Sequence, residues 1–147
     1  MKKNSYYESM LEAEAEYNKA NEEFKAVKAK MHDEMGTDEY YQWLNAQDEP
    51  EYPFTHGQAK ALRAIYWCET DELEMDEHLW DSEVEDFVDT LRKCEVGTFV
   101  VTCKSTGLME NMHWYAQNGC KLMGLCELEK ANRWGGIEKK MGVRFAL

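Results

Sequence analysis

Met10, Ala13, Tyr17, Ala20, Phe24, Val27 and Met31 follow one another at steps of three and four, which keeps one apolar stripe on one side of a helix for three heptads. Ser5-Tyr6-Tyr7-Glu8 has the spacing of a capping box, in which a hydroxyl and a carboxylate satisfy free backbone donors, and Gly36 supplies a stop. The spacing therefore predicts a helix over about 5–35, roughly 45 Å long at 1.5 Å per residue. That exceeds what one small core needs. The stripe either packs on the chain's own later helices or forms a homodimer seam through Met10, Tyr17, Phe24 and Met31.

Three shorter helices follow. Thr37 caps one that runs to about Gln47, with Tyr40, Trp43 and Leu44 on one face, and Pro50 and Pro53 then force a linker. Thr55-His56-Gly57-Gln58 repeats the capping-box spacing ahead of Leu62, Ile65 and Tyr66, and the helix ends near Cys68. Ser82-Glu83-Val84-Glu85 repeats it again, opening a helix with Val84, Phe87, Val88 and Leu91 inward and Gly97 as its stop.

After Gly97 the period changes. Residues 98–103 are β-branched and aromatic, 108–118 read as a helix capped by Gly119, and 120–128 and 141–147 alternate as strands. The expected fold is α+β: a helical N-terminal two thirds packed on a small three-stranded sheet with one crossover helix. We read one domain, 1–147, with an acidic helical part (1–95) and a βαββ part (96–147).

Charge sharpens this division. Residues 1–95 hold 25 acidic against 10 basic residues, whereas 96–147 hold 4 against 7, within a chain of net charge −12. A surface that grips phosphate needs clustered Lys and Arg, so the N-terminal part is not expected to bind nucleic acid or an anionic membrane directly, and a basic partner is. No apolar h-region or run of about 18 apolar residues appears, and five Cys without a C-x-x-C pair suit a reducing compartment. The chain is therefore expected in the cytoplasm, with most of its thiols as small core residues.

Between Arg63 and Arg92 there is no cation, while Glu69, Asp71, Glu72, Glu74, Asp76, Glu77, Asp81, Glu83, Glu85, Asp86 and Asp89 supply eleven carboxylates. On the fourth helix Asp81, Glu85 and Asp89 recur every four residues, about 6 Å apart along the axis, a spacing of the order of phosphates on a strand. The plain reading is a solvated face and an acidic loop; the sharper one is a nucleic-acid-mimicking surface that binds a partner. The 71–77 stretch lacks the glycine and ligand order of a calcium loop.

Lys104, Ser105 and Thr106 lie between a strand and a helix start, where free amides attract an anion, although Ser105 or Thr106 serves more simply as the helix cap. The glycine and lysine pattern of a phosphate loop is missing, and His32, His56, His78 and His113 form no metal spacing. No catalytic motif and no cofactor are read. Arg133 and Trp134 share a loop, as interface anchors often do, unless Trp134 folds back on the sheet.

At Ser105-Thr106-Gly107-Leu108-Met109-Glu110, with Gly119 and the closing Val143-Arg144-Phe145, the C-terminal third resembles small acidic proteins of Gram-positive mobile genetic elements, anti-CRISPR-type inhibitors among them. The resemblance implies a class of role: occupying the nucleic-acid surface of a basic partner such as a CRISPR nuclease. The expectation is thus a non-enzymatic inhibitor encoded by a phage or plasmid. The alternative is a small ligand-binding protein or enzyme with an anion site at Lys104, Ser105 and Thr106.

Overall fold

A computed structural model describes residues 3–147 as two compact units, one of Glu8–Pro53 and one of the described residues up to Tyr7 together with Phe54–Leu147. The fold is α+β, with five helices and a four-stranded mixed sheet among the described residues.

The first helix, α1 (Ser5–Glu34), is as long as its stripe predicts. Its cap is Asn4, whose Oδ1 accepts the Tyr7 N–H at 3.0 Å, so the cap sits one residue before Ser5. Within the Glu8–Pro53 unit, α2 (Thr37–Asn45) starts from Gly36 rather than from a Thr37 side-chain cap. The segment after α2 runs back along α1: the Tyr52 ring meets Tyr17 edge-on at 5.2 Å, its hydroxyl donates to Glu14 at 2.6 Å, and Glu49 lies 3.8 Å from Lys28. Of the seam residues, Met10 is buried and Tyr17, Phe24 and Met31 are half-buried.

The second unit runs α3 (His56–Tyr66), β1 (Leu73–Met75), α4 (Asp81–Lys93), β2 (Thr98–Val101), α5 (Leu108–Gln117), β3 (Lys121–Ala131) and β4 (Ile137–Ala146). Its sheet order is β1-β2-β4-β3, with β1 parallel to β2 and the other pairs antiparallel. The expected three-stranded sheet is thus corrected to four strands. β1 lies inside the stretch read as an acidic loop, where three residues form a strand by pairing Leu73 with Phe99 and Met75 with Val101. The hairpin strands also run past the expected 120–128 and 141–147, because cross-strand ion pairs such as Glu129–Lys139 at 3.7 Å carry the ladder where apolar alternation stops.

The Thr55–Gln58 box forms as predicted, with Thr55 Oγ1 accepting from the Gln58 N–H at 3.3 Å and Gln58 Oε1 from the Thr55 N–H at 2.8 Å. The box expected at Ser82 and Glu85 lies two residues earlier: the Trp80 N–H donates to Glu83 at 3.3 Å, and α4 starts at Asp81. Gly57 lets α3 and α4 touch, since a Cβ there would run into the backbone at Glu83 and Phe87. The core beneath gathers Phe87, Phe99, Tyr115 and Phe145, all fully buried, with ring centroids 5.0 to 6.1 Å apart.

Candidate interaction surface

α4 is amphipathic in the strict sense. Val84, Phe87, Val88 and Leu91 are buried on one side, and Asp81, Glu85 and Asp89 stand exposed on the other. Asp86 is half-buried at the border, and Asp89 takes Lys93 one turn on, at 2.9 Å. Burial of the apolar face fixes the helix, and the fixed helix holds the carboxylates in a row.

The carboxylates upstream of α4 divide differently. Glu69, Asp71 and Asp76 are exposed, but Glu72 and Glu74 turn toward the sheet and bind cations from the C-terminal strands. Arg144 meets Glu72 at 2.5 Å; Glu74 accepts from the Thr102 hydroxyl at 2.6 Å, from Lys140 at 3.1 Å and from Lys130 at 3.2 Å. Burial alone would raise the Glu74 pKa, yet the bonds from Thr102, Lys140 and Lys130 outweigh it and hold the carboxyl below its ordinary value. Its hydrogen bond to Glu74 in turn raises Lys140. Glu83 follows the same logic: burial opposes ionisation, and Lys60 at 2.9 Å with the Trp80 N–H overrides it. Glu77 lies 3.9 Å from Arg63 at the surface. Part of the run that reads as one acidic surface is therefore an internal ion-pair framework, and the outward remainder is Glu69, Asp71, Asp76, Glu77 and the α4 row.

A cleft of about 480 Å³ opens beside this framework. Trp67, Cys68 and Glu69 line it at the end of α3, Glu72 and Glu74 at β1, and residues 128–131 of β3 opposite. Trp67 is largely exposed.

The carboxyl ends of the parallel pair β1 and β2 are where an open α/β sheet usually takes a ligand. Here the segment between β1 and α4 fills that space. Asn111 of α5 clasps buried Leu79, its amide donating to the Leu79 carbonyl at 2.6 Å and its Oδ1 accepting the Leu79 N–H at 2.9 Å. His78 packs between Trp80 and Trp114, against Gly107, where any Cβ would strike its ring. Ser105 and Thr106 are not the cap of α5; the chain makes one more turn, closed by the Leu108 N–H on the Ser105 carbonyl at 3.2 Å, and Gly107 takes the cap position. Lys104 and Thr106 are exposed, while the Ser105 hydroxyl oxygen is buried without a hydrogen-bond partner.

Trp134 does not fold back on the sheet. It stands 81% exposed at the hairpin tip with the Arg133 guanidinium 5.1 Å over its ring, and Asn132 Oδ1 holds the turn by accepting from the Trp134 and Gly136 N–H groups. Cys94 and Cys120 are buried and Cys68, Cys103 and Cys126 half-buried; burial pushes the Cys94 thiol up to about 11. Among the described residues no three His, Cys, Asp or Glu side chains stand grouped for a metal ion, and no helix is long and apolar enough to cross a membrane.

Sequence reasoning missed the Glu74–Thr102–Lys130–Lys140 cluster and the Asn111 clasp. The available signal for the first is the alternation Leu73-Glu74-Met75, which puts one carboxylate on the face opposite two buried apolar residues. The second has no local signal, since Asn111 reads as an ordinary polar helix position.

The chain belongs to the family described as Domain of unknown function (DUF7698), which matches residues 59–147. No curated protein and no solved structure matches the chain.

Proposed function

We propose, for this member of the DUF7698 family, that it acts by binding rather than by catalysis. Its outward carboxylates dock on a basic nucleic-acid-handling protein and occupy the surface that protein uses for phosphate. CRISPR nucleases are one such class of partner, and the role is that of an inhibitor carried on a phage or plasmid. The observation that carries the reading is the row Asp81, Glu85 and Asp89, exposed on a helix whose other face is locked into the core. Complementary charge mainly accelerates association and is screened over about 10 Å at 0.1 M salt.

The test is capture from host lysate by the purified protein, at low and high salt, beside a variant carrying Asp81→Asn, Glu85→Gln and Asp89→Asn. A basic nucleic-acid enzyme should be recovered, lost in high salt and lost by the variant. Its activity on nucleic acid should fall when the wild-type protein is added. A partner retained equally by the variant, or indifferent to salt, overturns the proposal.

The buried, unpartnered Ser105 oxygen favours a second reading, an anion site at Lys104, Ser105 and Thr106. A ligand of the native state must raise the melting midpoint by mass action, so the absence of a shift in Tm across phosphate, nucleotides and carboxylates removes it.

A further inference from the structure

β3 is the outermost strand of the sheet and spans eleven residues, so it presents about 36 Å of backbone whose outward N–H and C=O groups have no strand beside them among the described residues. Natural edges of this length are usually blunted by proline, by a guarding lysine or by bulges. This one has no proline, and its one irregularity lies between Leu122 and Gly124, which leaves 125–131 regular. Of its two lysines, Lys121 stands at the strand's start and Lys130, next to its end, is drawn away to Glu74.

The side chains along that edge are patterned. Leu125, Glu127, Glu129 and Ala131 share one face of the hairpin, opposite Val143, Met141, Lys139 and Ile137, and Leu125 is 80% and Ile137 70% exposed. On the other face Leu128 and Lys130 line the cleft, where Glu72 and Glu74 are already held by Arg144, Lys130 and Lys140 and Glu77 lies near Arg63, so that Glu69 and Asp76 remain outward. The carboxylates within reach of the edge are thus Glu127 and Glu129 on one face, the latter 3.7 Å from Lys139, and Glu69 and Asp76 across the cleft on the other.

We propose that the free edge of β3 takes an extended, cation-bearing segment of a partner protein as a fifth strand. Main-chain bonds supply the attachment, Lys or Arg on one face of the added strand lies beside Glu127 and Glu129, and its apolar side chains lie on the face of Cys126 and Leu128. A second copy of the chain fits badly. Pairing 125–131 with itself antiparallel sets Glu127 opposite Glu129 twice, and a shift of two residues either way sets Glu127 or Glu129 opposite itself.

The probe is a fluorescent nonapeptide alternating Val and Lys, titrated into the full-length protein, with a Val–Glu peptide and a Val–Lys peptide N-methylated at alternate amides as controls. The Val–Lys peptide should bind roughly tenfold or more tightly than either control, and Glu127→Lys with Glu129→Lys should reverse the preference. Both substitutions are at exposed positions, and circular dichroism checks that the fold survives. Equal binding of the N-methylated peptide, no binding of the Val–Lys peptide, or a doubled mass by light scattering overturns the edge. The Asp81, Glu85 and Asp89 triple variant should bind the peptide unchanged; a loss there assigns the peptide to α4 instead and likewise overturns this site, so the two proposals fail separately.

Discussion

β2 buries three of its four residues and half-buries the fourth, whereas β3, in the same sheet, buries one residue of eleven. The two strands differ in what lies over them. Phe99 of β2 sits under Phe87 of α4 and Tyr115 of α5, while the far part of the hairpin carries Leu125, Ile137 and Met141 exposed. Pairing in a sheet alone therefore does not make a core; a strand is stabilised by what packs on its face, and the hairpin's outer half is held by its ladder and by ion pairs.

The largest expected effect is at the covered end. Phe99→Ala should cost about 3–5 kcal/mol, read from urea unfolding midpoints at unchanged slope, because Phe99 meets three aromatic neighbours in a close-packed site. Asn111→Ala comes next, at about 2–3 kcal/mol, since it strands the buried Leu79 N–H and carbonyl together. Hydrogen exchange should show the protection of the Leu79 amide collapsing first.

Glu74→Gln should cost roughly 1–3 kcal/mol, because two lysines lose the charge that holds them while the amide keeps one bond to Thr102. Leu125→Ala, by contrast, should stay within about 0.5 kcal/mol, and a larger loss would mean the hairpin's outer face is covered after all. Acid sharpens the same contrast. The Glu74 and Glu83 carboxyls titrate below their ordinary 4.5, so their contribution is present above that pH and is lost as pH falls through their lower folded values. Thermal melts from pH 6 down to pH 3, a span bracketing about 4.5, should show wild type losing stability more steeply than Glu74→Gln.

What could be read from the sequence follows the range of the interactions. The Thr55 box is legible because both partners lie within three residues. The long first helix is legible because its stripe repeats through three heptads. β1 is not, since three residues become a strand only through β2, more than twenty residues later. The acidity of 69–89 is plain, but its division into inward and outward carboxylates is not, because the cations that claim Glu72 and Glu74 arrive 56 to 72 residues downstream. The closed end of the parallel pair was equally invisible, resting on the single polar side chain of Asn111 in another helix.

The contact at Gly57 bears on how this protein can change over generations. With the backbones of α3 and α4 pressed together there, a side chain at that position would push the helices apart, so position 57 is held to glycine and α4 to one seat against α3. The outer face has no such neighbour, and Asp81, Glu85 and Asp89 are free to be exchanged, shifted or reversed in charge with little penalty to folding. One side of one helix can therefore be rewritten over generations while the rest of the unit stays still.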